Sequence, residues 1–316
     1  MNREEKQIAR IIFRNKILSS DKQAYEDLFT EVMQATDPNF QPVKPQGKEG
    51  DKKCDGFNKV TGQYYQVYAP EDLERKEKTA LDKLTETIKG IFNYWQSISP
   101  IKEFYFVIKD NNKGAYPSIH SQLADIEKTY NIKADTFLSN HLEDVFLSLN
   151  EEKALSIIGG FLPNPLNISN VDISSLCEVI DHLLHFESDF KDERFPENPD
   201  FEKKIRFNNL SDEYAMLLKV AYRQTYIIDD YFTFQSSFLK QDLKQVFADF
   251  YTQALVAIPE NIECRSDIVF QKILENASPK NTKPFNDAVL VLMSHYFESC
   301  DIFEEPIEPI QQNLFE

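Results

Sequence analysis

The sequence lacks any apolar run approaching the roughly 18 to 20 consecutive residues that cross a bilayer, and its opening, MNREEKQIARII, has no apolar signal core. A cytoplasmic protein without membrane contact is the expectation. Paired cysteines are also lacking. Cys54, Cys177, Cys264 and Cys300 stand far apart with no CxxC, which argues against a zinc ribbon or a disulfide framework and for four reduced thiols. No GxxxxGK(S/T) loop occurs, and no GxGxxG follows a strand, so the chain itself should neither bind nor hydrolyse ATP. There is no repeat of fixed period and no low-complexity tract.

Positive charge is in short supply: 35 Lys and Arg face 52 Asp and Glu, for a formal charge of −17. Spread evenly, that charge repels a nucleic-acid backbone, so contact with DNA requires a local basic patch. One exists between Lys44 and Lys59, where Lys44, Lys48, Lys52, Lys53 and Lys59 face only Glu49, Asp51 and Asp55. A lysine-rich loop of this kind is also what an ordinary solvated loop looks like.

What is present is core material: 41% apolar residues, including 25 Phe and 14 Tyr, in 316 residues. That length makes two domains the natural division. Apolar spacing predicts a helix over 21–34 behind a capping Asp21, then strand-like runs at 40–43, 54–60 and 64–68 separated by Gly and Pro, reading as a meander. A helix with one buried face follows over 70–95, then a continuous apolar strand, FYFVI at 104–108, expected centrally in the sheet. A helix at 119–130, a strand at 136–138 and a helix at 141–149 complete an alternating order. The first half, residues 1–165, is therefore expected to be an α/β domain with a small mixed sheet flanked by helices. Linker-like stretches follow Gly160 and Phe186, and the helical periodicity from Ser211 onward makes residues 166–316 an all-α domain.

Glu26 on the first of those helices, Asp55 within GDKKCDGF and Gln66 within YYQVY each carry side-chain oxygen. The order helix, three strands, helix lets them converge at one end of the sheet. Hard oxygen ligands suit Mg²⁺ or Mn²⁺, and a cation so bound supports phosphodiester hydrolysis. Each residue has a plainer account. Asp55 precedes Gly56 as in a hairpin turn, Asp51 suits a loop, Glu26 shares its helix with other solvated acids, and Gln66 on an outward face needs no partner. If Gln66 faces inward it must find a hydrogen-bond partner or a metal. His182 and His185 with Cys177 upstream lack a fourth ligand nearby and read as packing, as do the isolated His120, His141 and His295.

The order of these elements and residues resembles the PD-(D/E)xK nuclease superfamily over about residues 21–110, in particular restriction-type members with glutamine in place of the second acid. The longer strings GKEGDKKCDGF and YYQVYAPE, with KIRFNNLS (204–211), IDDYF (228–232) and MSHYFESCDIFEEP (293–306), resemble effectors of ABC-three-component systems, including the nuclease subunit of Lamassu-type anti-phage complexes. The resemblance implies a DNA endonuclease effector that associates with an ABC/SMC-type ATPase and a small third subunit. It also implies that the effector is held inactive until infection is sensed. Self-association into an oligomer would bring active sites and basic loops together. Lys48, Lys52, Lys53 and Lys59 are the candidate DNA contacts.

The superfamily's lysine belongs two residues after the glutamine, where this chain has Tyr68, which carries no permanent positive charge. A strand rises ~3.3 Å and a returning helix ~1.5 Å per residue, which puts a residue roughly ten positions into that helix level with Gln66. This points to Lys83, with Lys53 as a second choice. The alternative is a catalytically decayed DNA-binding or scaffold subunit of an SMC-like complex.

Overall fold

The protein was studied as a computed structural model that describes residues 1–45, 52–70, 77–164, 168, 171–186, 201–233, 237–299 and 302–306. Lys48 and Asp51 lie outside these residues. The chain divides into two compact units: Phe13–Gly160 with Met1, and Asn2–Ile12 with Phe161–Glu316. Helix α1, Arg3–Ser19, contributes residues to both.

In the first unit, α2 (Gln23–Thr36) leads into three antiparallel strands, β1 (Phe40–Pro42), β2 (Gly56–Asn58) and β3 (Gln63–Tyr68). Helix α3 (Glu77–Tyr94) then carries the chain to β4 (Glu103–Ile108), and α4 (Pro117–Tyr130) to β5 (Lys133–Phe137). These two crossovers make β3, β4 and β5 parallel, as helical connections between strands require. The result is a mixed sheet in the order β1-β2-β3-β4-β5. FYFVI is an interior strand as its composition predicts, but the middle position belongs to β3. The strand expected at 136–138 begins earlier, at Lys133, because pairing with β4 starts at Glu103. The unit closes with α5 (Ser139–Leu147) and α6 (Glu151–Ile157).

Alternation along β3 sends its side chains to two faces. Tyr64 and Tyr68 join Phe104, Phe106 and Ile108 in a core with Ala80, Leu84, Ile88 and Ile91 of α3 and Ile119, Leu123 and Ile126 of α4. Tyr65 faces α2, where Phe29, Phe40, Tyr105 and Phe137 surround it with ring centroids 5.3 to 6.4 Å away. Gly56 is required beneath this cluster, because a Cβ there would lie 2.2 Å from the Phe40 ring.

The second unit contains α7 (Ile173–Leu183), α8 (Phe201–Phe207), α9 (Asp212–Tyr222), α10 (Tyr226–Thr233), α11 (Ser237–Ala257), α12 (Arg265–Ala277) and α13 (Lys283–Glu298). Every residue of α13 from Asn286 to Phe297 is buried, which marks it as the central helix, with α7, α9 and α12 packed against it. The strings KIRFNNLS, IDDYF and MSHYFESCDIFEEP meet here. Fully buried Lys204 donates to Phe297 O at 2.7 Å, one of the carbonyls a helix end leaves unpaired. Asn208 pairs with the Glu304 backbone in both directions, at 2.8 and 2.9 Å. His295 lies 3.8 Å from Asp229, and burial lowers its pKa to about 4, helped by Lys240 and opposed by Asp229. Among the described residues no helix is long and apolar enough to cross a membrane.

Two measurements check this packing. Lys204→Ala should lower the unfolding free energy by about 3 kcal/mol in urea titration, since it empties a buried site and strands the Phe297 carbonyl. Asp267, buried and accepting from Ser211 N at 3.0 Å, has its pKa raised from 3.8 to about 6, first by desolvation and further by Glu213. A raised folded-state pKa means a contribution present in full below pH 3.8 and lost as pH rises through about 6. Relative to Asp267→Asn, the wild-type protein should therefore lose stability across that window.

Candidate active site

Strand β2 is short. Its pairing with β3 reaches only Gly56↔Tyr65, so Gln66, Val67 and Tyr68 run on beyond it. Asp55, the residue just before β2, fills the gap. Its backbone N–H still pairs with Tyr65 O at 3.0 Å, and its own carbonyl accepts from Val43 N at 2.9 Å. Its carboxylate then turns along β3 and takes the next donor, Val67 N, at 2.5 Å. Asp55 is thus no hairpin turn residue. The turn lies at the other end of β2, where Gly62 has φ 80°, and the Asp-Gly step is extended under the Phe40 ring.

Gln66 reaches the same carboxylate: Nε2 donates to Asp55 Oδ2. Both residues are only 3% exposed, so the carboxylate needs these donors to offset its lost hydration. The amide itself is satisfied on one side only. Among the described residues, buried Gln66 Oε1 finds no hydrogen-bond partner. At the amino ends of β3 and β4 the polar groups instead close on each other. Gln63 Nε2 and Tyr105 OH both donate to Glu103 Oε2 at 2.9 Å, and these bonds hold the Glu103 carboxyl below its ordinary pKa.

Lys83 arrives from α3. Its Nζ donates to Val67 O at 2.8 Å and lies 5.6 Å from the centre of the Tyr68 ring. Asp55 and Lys83 consequently hold the N–H and C=O of one residue, on the edge of β3 that β2 leaves open. Lys83 lies in the second turn of α3, whose described residues begin at Glu77, and its bond to Val67 O places it one residue from Gln66. Tyr68 stacks on Phe106 at 5.7 Å, and burial pushes its phenol pKa up, so it stays neutral.

The remaining candidates are spread out. Glu26, half-buried, is in the first turn of α2. Lys53 pairs with Glu86 at 3.3 Å, both exposed, and Lys52 lies 5.4 Å from the Tyr94 ring centre, so both extend along α3. Gly90 admits this approach, since a Cβ there would meet Lys53 Cγ at 2.6 Å. Lys59 is exposed in the turn after β2, at the opposite end of that strand from Asp55. His141 Nδ1 accepts from Leu138 N at the start of α5, and His185 bonds Asp181 O. Among the described residues no three His, Cys, Asp or Glu side chains are placed to hold a metal. The oxygen set of Glu26, Asp55 and Gln66 contains only two such groups.

Sequence reasoning missed Lys109 and Asp110, which follow β4 at the same end of the sheet, each at most 4% exposed. Asp110 accepts from Gly114 N at 2.8 Å and Ser139 N at 2.9 Å, organising the loop and the start of α5. The signal was available: a Lys-Asp pair directly after a continuous apolar strand lies at the carboxyl edge, where open α/β sheets place their ligands.

Residues 174–304 match the family model described as C-terminal domain 10 of the ABC-three component (ABC-3C) systems. The match falls in the second unit, whose sequence is similar to that domain. No curated protein and no solved structure was found to match.

The bonds around Val67 make a stability prediction that is independent of activity. Asp55→Ala strands two buried donors, Val67 N–H and Gln66 Nε2, at roughly 1 to 3 kcal/mol each. Asp55→Asn keeps an acceptor oxygen and should unfold at clearly higher urea concentration than Asp55→Ala.

Proposed function

We propose that the first unit is a metal-dependent DNA endonuclease, the effector of a Lamassu-like anti-phage ABC-3C complex that is held inactive until infection is sensed. The observation that supports it is the convergence at Val67: a buried carboxylate, an amide whose buried oxygen has no partner among the described residues, and an ammonium, all at the carboxyl end of a sheet. The donor chemistry fits a hard divalent cation. Asp55 and Gln66 offer buried oxygens, and among the described residues Gln66 Oε1 lacks the partner that its burial calls for. Asp55, Gln66 and Glu26 would hold Mg²⁺ or Mn²⁺. When bound, such a cation polarises a phosphodiester and lowers the pKa of coordinated water.

The chain's own side chains do the rest. The Val67 N–H and the Gln66 amide fix the Asp55 carboxylate in one orientation, so its geometry is set before any ligand arrives. Lys83 has three N–H donors, of which one holds Val67 O, and its charge stands where the motif lysine is missing. There it stabilises negative charge building on a phosphoryl oxygen. Lys52, Lys53 and Lys59, with Lys48, supply the backbone contacts to DNA. At −17 overall, a single copy binds DNA poorly, so an ABC/SMC-type ATPase, a small third subunit and self-association govern activity in the cytoplasm.

One observation favours a second reading, a decayed nuclease serving as DNA-binding or scaffold subunit. Tyr68 is absorbed into a ring stack, and Asp55 and Lys83 each satisfy a backbone group, roles that need no catalysis. Plasmid cleavage by the assembled complex separates the two. Wild type should cut with Mg²⁺ or Mn²⁺ and not with EDTA. Asp55→Asn should lose at least a hundredfold in rate and Lys83→Met about a hundredfold, in the range of losing one preorganised charge-stabilising group. Cleavage absent with every divalent ion tried supports the scaffold. Cleavage lost in Asp55→Asn but retained in Lys83→Met removes Lys83 from the mechanism while keeping the metal site.

A further inference from the structure

The start of α2 is fastened to the carboxyl ends of the two inner parallel strands. Lys22 N donates to Ala69 O at 2.8 Å, just past β3. Lys109, just past β4, sends its Nζ to Asp21 Oδ1 at 2.5 Å and Leu18 O at 3.0 Å, while its backbone N–H bonds Tyr68 O at 3.2 Å. The lysine side chain is 4% exposed and that of Asp21 41%. Lys22 itself has φ 51° and ψ −120°, a positive-φ conformation that costs a residue with a Cβ ~1 kcal/mol or more and persists only when its surroundings hold it.

From this anchor α2 runs back over the sheet, antiparallel to β3. Its Phe29 ring meets Tyr65 at 5.6 Å. Lys22 to Phe29 is ~10 Å of helix and Ala69 to Tyr65 ~13 Å of strand, so the two elements stay nearly level along their length. Glu26, ~6 Å of helix beyond Lys22, falls level with Gln66 and Val67. Gln66 and Lys83 serve the α3 side of the sheet, and α2 covers the other. Val67 lies between them on the edge of β3 that β2 leaves open.

We propose that Lys109 is a positioning residue for the cation site: its ion pair with Asp21 sets the register of α2 against β3 and so delivers Glu26 to the level of Asp55 and Gln66. This rests on the reading of those three residues as cation ligands. A neighbouring lysine is otherwise an odd companion for a cation. Here its charge is spent on Asp21 and a carbonyl, and its effect on the site is exerted through the helix.

Mn²⁺ titration of the full chain, followed by electron paramagnetic resonance, tests this without requiring turnover. The variants are Asp21→Asn, Lys109→Met, Glu26→Gln, Asp21→Asn with Glu26→Gln, and Asp55→Asn, each checked by thermal melting. Asp21→Asn should weaken Mn²⁺ binding by about tenfold, the lower end of what outer-shell supports contribute, and Lys109→Met by as much or more. The double variant should bind no more weakly than Glu26→Gln alone, because nothing remains to be positioned. If the two losses multiply, or if Asp21→Asn and Lys109→Met bind as wild type does, Lys109 does not position Glu26, although the cation site stands. If wild type binds no Mn²⁺, or Asp55→Asn binds it equally well, the cation site itself falls and this inference with it. Should Lys109→Met fail to fold, Asp21→Asn and the double variant decide the question.

Discussion

Everything at the candidate site depends on one interrupted strand pairing. β2 stops at Gly56 while β3 continues through Tyr68, so the edge of β3 has a backbone donor and acceptor with no strand beside them. A buried backbone group without a partner costs free energy comparable to a lost hydrogen bond. The protein meets that cost with side chains: Asp55 for Val67 N–H and Lys83 for Val67 O. Two opposite charges are thereby brought to one residue of a sheet edge, and Gln66 is brought to the carboxylate. A full-length β2 would have satisfied the same groups with backbone and left no charged side chains at this edge.

The two faces of β3 divide the labour around that edge. On one face, aromatic contacts among Phe29, Phe40, Tyr65, Tyr105 and Phe137 seat α2 and require Gly56. On the other, the aliphatic face of α3 packs against Tyr64 and Tyr68 and carries Lys83 at its margin. Rigid elements thus support each of the polar side chains, which is the condition for a preorganised site. The second unit follows a different logic. A buried central helix is capped by a buried lysine, and segments far apart in sequence are tied together by Lys204 and Asn208.

Much of this was legible in the sequence, and the residues show why. Alternation and apolar runs gave the strands of the first half and their order with the helices, because period and length are set by local geometry. The placement of Lys83 beside Val67 was reachable by counting, since strand and helix rises are fixed. Burial of Gln66 and the half-paired state of its amide were not legible, because they depend on where β2 ends, a matter of long-range pairing. Lys109 escaped notice because its partner, Asp21, is 88 positions away. Helices α1 and α6 were also unread. The isoleucines Ile8, Ile11 and Ile12 of α1 do fall at helical spacing, but the amino-terminal stretch was weighed only as a possible signal. KIRFNNLS and MSHYFESCDIFEEP, both largely within the stretch similar to the ABC-3C C-terminal domain, hold each other in place.

The central claim is that Gln66 Oε1, buried and without a partner among the described residues, faces a divalent cation shared with Asp55. Crystals grown in Mn²⁺ and measured at an anomalous wavelength test it most directly. The account predicts one strong peak about 2.0 to 2.4 Å from Gln66 Oε1 and from an Asp55 carboxylate oxygen, the range of oxygen ligands to such ions. An empty site at saturating Mn²⁺, with Gln66 Oε1 bonded instead to protein or water, would contradict it.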